Sequence, residues 1–460
     1  MKMISSLLAV SLSLYGATLS SEHDLTLNEA IEILKQDNLE IKAAQLELQS
    51  TQAKTDQVSS MNWGSLDLVL NAANSDDAGN VFGFKLTSRQ ASFNDFGFDE
   101  FLAGMPGLPG NAPELLATEP NNLNNPGSTN YFQTKLEYTL PIYTGGKISG
   151  YTDIGRSMEK MQTLETDKTV SSKIYETRKA FYDMALLKQA IENLTTINDN
   201  ITTLEETTQF MINEGYAKRI DLLEVQAKRS NVERKLNEMR ANEKLLYNYL
   251  SFLLNREIKQ ITVPDSEVKE SALSTEQILE RNVEIKQAET GLQIRKRMVD
   301  VSQSGYMPMI GLKANVQSSA INLDEYDMVD NGSYTAGVQL NWNLFSGGSD
   351  SDKVQEAKVN ELKTQTQVEL AKKGIALQVN KIRTEIASFN YEIESLTKEL
   401  ELSTEIYKSY EERYKEQLAS MSDLVIKQSI QIEKILALLE VQNKRNERVF
   451  ALEKLANGEH

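Results

Sequence analysis

The chain has 460 residues, 40% hydrophobic and 25% charged, with a formal net charge of −17. That apolar fraction excludes a disordered chain, and the negative balance disfavours nucleic acid as a partner, because phosphate binding needs clustered lysine and arginine. With no cysteine there is no disulfide framework, no thiolate metal site and no lipid-anchored N-terminal cysteine. An acidic surface or lumen is the simplest account of the charge.

Residues 1–20 combine basic Lys2, an apolar run and small residues from Ala17 to Ser21, the pattern of a secretory signal peptide. No later run approaches the ~18 apolar residues of a membrane-spanning helix, so any span in this exported chain must be built from strands. A helix is expected over 21–63. It leads into a strand with Leu66, Leu68, Leu70 and Ala72 on one side and Ser65, Asp67 and Asn71 on the other. A second strand carries Leu136, Tyr138, Leu140 and Ile142 opposite Lys135, Glu137 and Thr139. The two strands occupy 64–145 and are separated by an insertion at 74–130, rich in aromatics near Phe82–Phe96 and in proline and asparagine over 105–127.

A helical hairpin follows over 146–255, with Ile191, Leu194, Ile201, Leu204 and Met211 on the seam of its first helix and Val225, Val232, Met239, Leu246 and Leu253 on that of its second. A linker (256–273) and a helix (274–305) lead to strands over 306–346. There Ile310, Leu312, Ala314 and Val316 share one face, and Ala336, Val338, Leu340, Trp342 and Leu344 another. The last hairpin spans 347–456, ahead of a tail at 457–460. Its seam runs Ile375, Val379, Ile382, Ile386, Phe389, Ile393, Leu396 and Leu400, is interrupted at Ser403, and resumes at Tyr407, Tyr410 and Tyr414.

The order of elements is stated twice. Leu136–Gly146 aligns with Val338–Gly348, and Asp221–Gln226 with Asp423–Gln428, both at an offset of 202. Asn38–Ala44 resembles Asn282–Ala288 at an offset of 244, and the difference locates about 42 extra residues in the first half, between Leu66 and Leu136. Four strands of about ten residues with period-two alternation have the length and pattern of tilted transmembrane strands, apolar to lipid and polar to water. Four strands cannot close a barrel, since the smallest use eight, so the functional unit must be an oligomer.

Enzyme chemistry has little to work with. Thr144-Gly-Gly-Lys147 is no phosphate loop, because that motif needs glycine at Pro141 and Ser or Thr at Ile148. The acidic stretch Asp324–Gly332 lacks the spacing of a calcium loop. The two histidines, His23 and His460, are terminal. No cofactor, metal or catalytic residue is expected, and the chain is not read as an enzyme.

The duplicated strand–Gly-Gly–long helix junctions, their order, and the helix start Asp221-Leu-Leu-Glu-Val-Gln226 resemble the TolC family of outer-membrane efflux channels, from about Leu25 to Leu455. The resemblance implies a mainly α protein with four β-strands per protomer in a shared 12-stranded outer-membrane barrel, and long coiled-coil helices forming a periplasmic α-barrel, as a homotrimer. It implies the outer membrane of a Gram-negative cell, no enzymatic activity, and partnership with a periplasmic adaptor and an inner-membrane efflux transporter. A type I protein-secretion duct has the same architecture; a periplasmic coiled-coil scaffold is the reading from another class.

In the family picture the hairpin turns close the periplasmic tip. Asp221 bonds Tyr414 as a latch, and Asp423 narrows the entrance. The turns Gly215-Tyr216-Ala217 and Gln417-Leu418-Ala419 dock the adaptor. Three departures stand out: Ala419 in place of a latch arginine, Ile426 in place of a second ring aspartate, and Gln417 in place of glycine. From the residues themselves, both aspartates also read as helix N-terminal caps. The insertion is expected to form an extracellular loop folded onto the barrel mouth.

Overall fold

The computed structural model describes residues 24–105, 112–264, 268–322, 324, 327 and 330–456. The signal-peptide segment, both histidines, the tail at 457–460 and part of the acidic loop lie outside the described residues. Among the described residues the chain is mainly helical with one four-stranded sheet. It divides into two compact units, each drawing on both copies of the repeat: 1–43, 168–281 and 376–460 in the first, 44–167 and 282–375 in the second.

The expected helix over 21–63 is two helices, α1 (Leu27–Asp37) and α2 (Leu39–Ser60), parted at Asn38. The buried Asn38 side chain accepts the N–H groups of Glu40 and Ile41, both at 3.0 Å, and donates to the Leu253 carbonyl at 2.8 Å. A side chain that satisfies the orphan donors of a helix start favours a break there over a continuous helix. The repeat does the same. α9 (Thr275–Arg281) and α10 (Val283–Gln303) part at Asn282, which accepts Ile285 N–H at 3.1 Å. The Asn-Leu/Val-Glu-Ile-Lys similarity is thus a shared capping device.

In the second unit, β1 (Ser65–Ser75), β2 (Thr129–Tyr143), β3 (Met309–Ala320) and β4 (Gly332–Asn341) form an antiparallel sheet in that order. Residues 76–128 carry α3 (Ala78–Thr87), α4 (Phe98–Gly104), α5 (Ala112–Leu116) and α6 (Asn121–Asn124). The helices α7 (Lys147–Asn213) and α11 (Ser349–Lys415) each have 67 residues, about 100 Å of helix. Glycine sets how closely α7 meets its neighbours in this unit. A Cβ at Gly150 would lie 2.5 Å from Val301 on α10, and one at Gly155 2.8 Å from Thr55 on α2.

In the first unit, α7 and α11 turn back into α8 (Arg219–Leu254) and α12 (Met421–Leu455). One core joins all four helices through Leu194, Ile201, Val225, Val232, Tyr407, Leu424 and Ile432. A second joins α1 to α7 and α8 through Leu34, Phe181, Met184 and Leu250. Ser403 does not interrupt the seam. It is buried there, its hydroxyl returned to the Leu400 carbonyl at 2.9 Å.

Candidate functional site

The turn between α7 and α8 is closed by Tyr216 N–H to Met211 O at 2.7 Å and Gly215 N–H to Ile212 O at 3.0 Å. Its counterpart between α11 and α12 repeats those bonds 202 positions later, Leu418 N–H to Arg413 O at 2.7 Å and Gln417 N–H to Tyr414 O at 2.9 Å. Both are Schellman closures, which need one residue in the left-handed region. Gly215 fills it at φ 81°, and Gln417 fills it at φ 65° despite its Cβ.

Each aspartate then caps the returning helix. Asp221 Oδ2 accepts Lys218 N–H at 2.8 Å. Asp423 accepts the Ser420 hydroxyl at 2.6 Å, while Ser420 Oγ accepts Asp423 N–H at 3.1 Å. The Ser420 hydroxyl and N–H, helped by Lys427 and Arg413, hold the Asp423 carboxyl below its ordinary range. Tyr414 is buried, and its hydroxyl lies 3.4 Å from Thr208 Oγ1 on α7. Burial, with the charge of Asp221 adding to it, raises the Tyr414 pKa. The hydrogen bonds therefore run Tyr414 to Thr208 and Asp221 to Lys218, not Asp221 to Tyr414. Tyr216 and Leu418 stand out from the turns, 66% and 64% exposed.

Sequence reasoning missed Thr208 and Lys228. Nothing local marks Thr208, whose partner lies 206 residues away. Lys228 on α8 donates to Ser429 Oγ on α12 at 2.6 Å. Burial, with repulsion from Lys235 adding to it, brings its pKa down to about 8.

In the sheet, the register aligns the four apolar sets. Leu66, Tyr138, Ala314 and Ala336 lie opposite one another in one row, and Leu68, Leu136, Val316 and Tyr334 in the next. Among the described residues most of this face is uncovered, with Leu68 64% exposed, Val316 61% and Val338 66%; only Ser318 and Ala320, at the far end of β3, are buried. A register shift between Pro141 and Tyr143 sets Tyr143, rather than Ile142, opposite Ile310. β4 stops at Asn341, and Trp342 beyond it donates its indole N–H to the Tyr306 carbonyl at 3.0 Å. The other face carries Asn71, Gln133 and Gln317, joined by side-chain bonds of 2.9 and 3.1 Å. Its charges balance: Asp67 and Glu137 against Lys135 and Lys313. Among the described residues no helix is long and apolar enough to cross a membrane. No group of three or more potential metal ligands converges among them either.

The sequence matches the outer membrane efflux protein family over residues 30–256 and 275–458. The chain belongs to that family. Outer membrane efflux proteins are transport ducts, not enzymes, and the cell outer membrane is where this one resides. Its fold is shared with solved structures of low sequence identity. CusC, a transmembrane channel, matches at a TM-score of 0.76 and 13% identity, over 94% of this chain and 92% of its own. VceC from Vibrio cholerae matches at 0.74 and 16%, over 94% and 96%. The CmeC channel of Campylobacter jejuni matches at 0.74 and 14%, over 94% and 85%. A search of curated proteins found no match to the sequence.

Proposed function

We propose that this outer membrane efflux protein is the exit duct of a tripartite pump. Three copies close a single 12-stranded barrel, and their long helices form a periplasmic tunnel. Substrates delivered by an inner-membrane transporter through a periplasmic adaptor pass out along it, and the transporter supplies the energy. The observation that carries this reading is the sheet, whose strands of 10 to 15 residues have one bare apolar face and one polar face. A bare apolar face suits hydrocarbon and not water. Among the described residues strands β1 and β4 each lack a partner on one side, and an unpaired edge in lipid costs several kcal/mol per backbone group, so copies must complete one another. A periplasmic scaffold offers nothing to cover that face.

On this reading the periplasmic end is gated by Asp221, Tyr414 and Asp423, and the turns Gly215–Ala217 and Gln417–Ala419 meet the adaptor. The matching backbone of the two turns supports it, because three copies would then present six nearly equivalent loops to a partner. The burial of the Tyr414 ring and its contact with Thr208, with the charge of Asp221 beside them, support a hold on the closed tip.

Purified from outer membranes in detergent, the native assembly should have the mass of three chains, and in planar bilayers it should show a small closed-state conductance. Asp221→Ala should raise that conductance. A monomer without channel activity would reject the duct, and an unchanged conductance would remove Asp221 from the gate.

A further inference from the structure

We propose that the insertion between β1 and β2 folds onto the polar face of the sheet and forms a size-selecting constriction at the outer mouth. This rests on the duct reading, since only there does the polar face line a pore. Alternation fixes the geometry. No bulge separates Tyr131 from Thr139, so Tyr131 shares a face with Gln133, Lys135 and Glu137, away from Leu136 and Tyr138. The ring of Phe84 on α3 stacks on Tyr131 with centroids 4.3 Å apart and planes 10° apart. Ser319, opposite Gln133 on the same face, is only 1% exposed. At this end of the sheet Leu70, on the apolar face, remains 69% exposed. The insertion therefore meets the face meant for water, at Tyr131, while Leu70 and Val316 on the face meant for lipid stay exposed.

It is also held there. Arg89 Nη1 donates to the Asp330 carbonyl at 3.2 Å, and Gln90 Oε1 accepts Ile321 N–H at 2.9 Å, tying the end of α3 to the β3–β4 connection. Within the insertion, Lys85 pairs with Asp95 at 2.5 Å, both side chains 18% exposed. Glu100 accepts the N–H groups of Asn121 and Asn122, both at 2.8 Å. These contacts tie α3, α4 and α6 into a folded body. Scale then decides its effect. A closed barrel of twelve tilted strands is roughly 24 Å across between backbones. Three helices, each about 10 Å wide with side chains, would fill much of it.

The test uses the cysteine-free full chain on intact cells. Lys313→Cys, on the polar face, is exposed to a small sulphonated maleimide and to a bulky polyethylene-glycol maleimide that can arrive only from outside. Rates are compared among the otherwise unaltered chain, Phe84→Ala with Arg89→Ala, and a chain with residues 78–124 replaced by a short Gly-Ser linker. The small reagent should label all three. The bulky one should label the two opened variants at least about tenfold faster, as expected for releasing a local closed state. Equal rates for the bulky reagent in all three would overturn the constriction while leaving the duct standing. If neither reagent reaches Lys313→Cys in any of them, the duct reading falls and the inference falls with it.

Discussion

Gln417 is the residue with the clearest local cost. It holds φ 65° where Gly215, one repeat earlier, holds φ 81°, and a Cβ there is strained by about 1–2 kcal/mol, part of which glycine's extra unfolded-state entropy cancels. Gln417→Gly should therefore stabilise the full chain by about 0.5–1 kcal/mol in denaturant unfolding; a loss of stability would contradict the strain. Asn38→Ala leaves two helix-start donors without their side-chain acceptor and the buried Leu253 carbonyl without its donor, so it should cost about 2 kcal/mol in the same measurement. Asp37 gives a pH dependence. Its pKa is lowered from 3.8, chiefly by the Arg256 hydrogen bond, with Lys42 assisting. A depressed carboxylate stabilises the fold above its unfolded pKa and loses that contribution as pH falls through the folded value. Melting temperature should therefore drop below pH ~4 in the parent chain, and less steeply in Asp37→Asn. At this scale the capping aspartates could be read from spacing alone. The partner of Tyr414 could not, because Thr208 is placed by packing between α7 and α11.

The helical seams follow the heptad series of the sequence closely. Ile375, Val379, Ile382 and Ile386 on α11 are all buried, as are Val225 and Val232 on α8. The departures from the sequence expectation all fall at polar residues, in both directions. Ser403 stays in its seam by returning its hydroxyl to the backbone, while Asn38 and Asn282 do break their helices, because their side chains reach donors ahead of them. Lys228 shows a polar group held between two helices at a cost. With its pKa brought from 10.5 to about 8, the folded state holds the proton less tightly than the unfolded chain does. Stability should thus rise as pH climbs through about 8 toward 10.5. Lys228→Met should flatten that rise, and an equal slope in both chains would show that Lys228 is not its source.

For the whole molecule, the internal repeat told more than any single motif. It gave the order of strands and hairpins and isolated the insertion. It did not show that each compact unit would take segments from both copies, since that depends on long helices that run through both units. Nor did it show which face of the sheet the insertion covers, a matter of register and of Phe84 meeting Tyr131. The balance of Asp67 and Glu137 against Lys135 and Lys313 leaves the polar face of the sheet without the acidic excess expected of a lumen. The account depends most on hydrocarbon covering the even-numbered face of β2. Single cysteines at Leu68, Leu136, Val338 and Leu340, carrying spin labels in native outer membrane, should be quenched by oxygen dissolved in the bilayer and shielded from a water-soluble nickel reagent. Cysteines at Gln133, Lys135 and Gln339 should behave the opposite way. Equal exposure of both sets to the nickel reagent would contradict a membrane-spanning sheet.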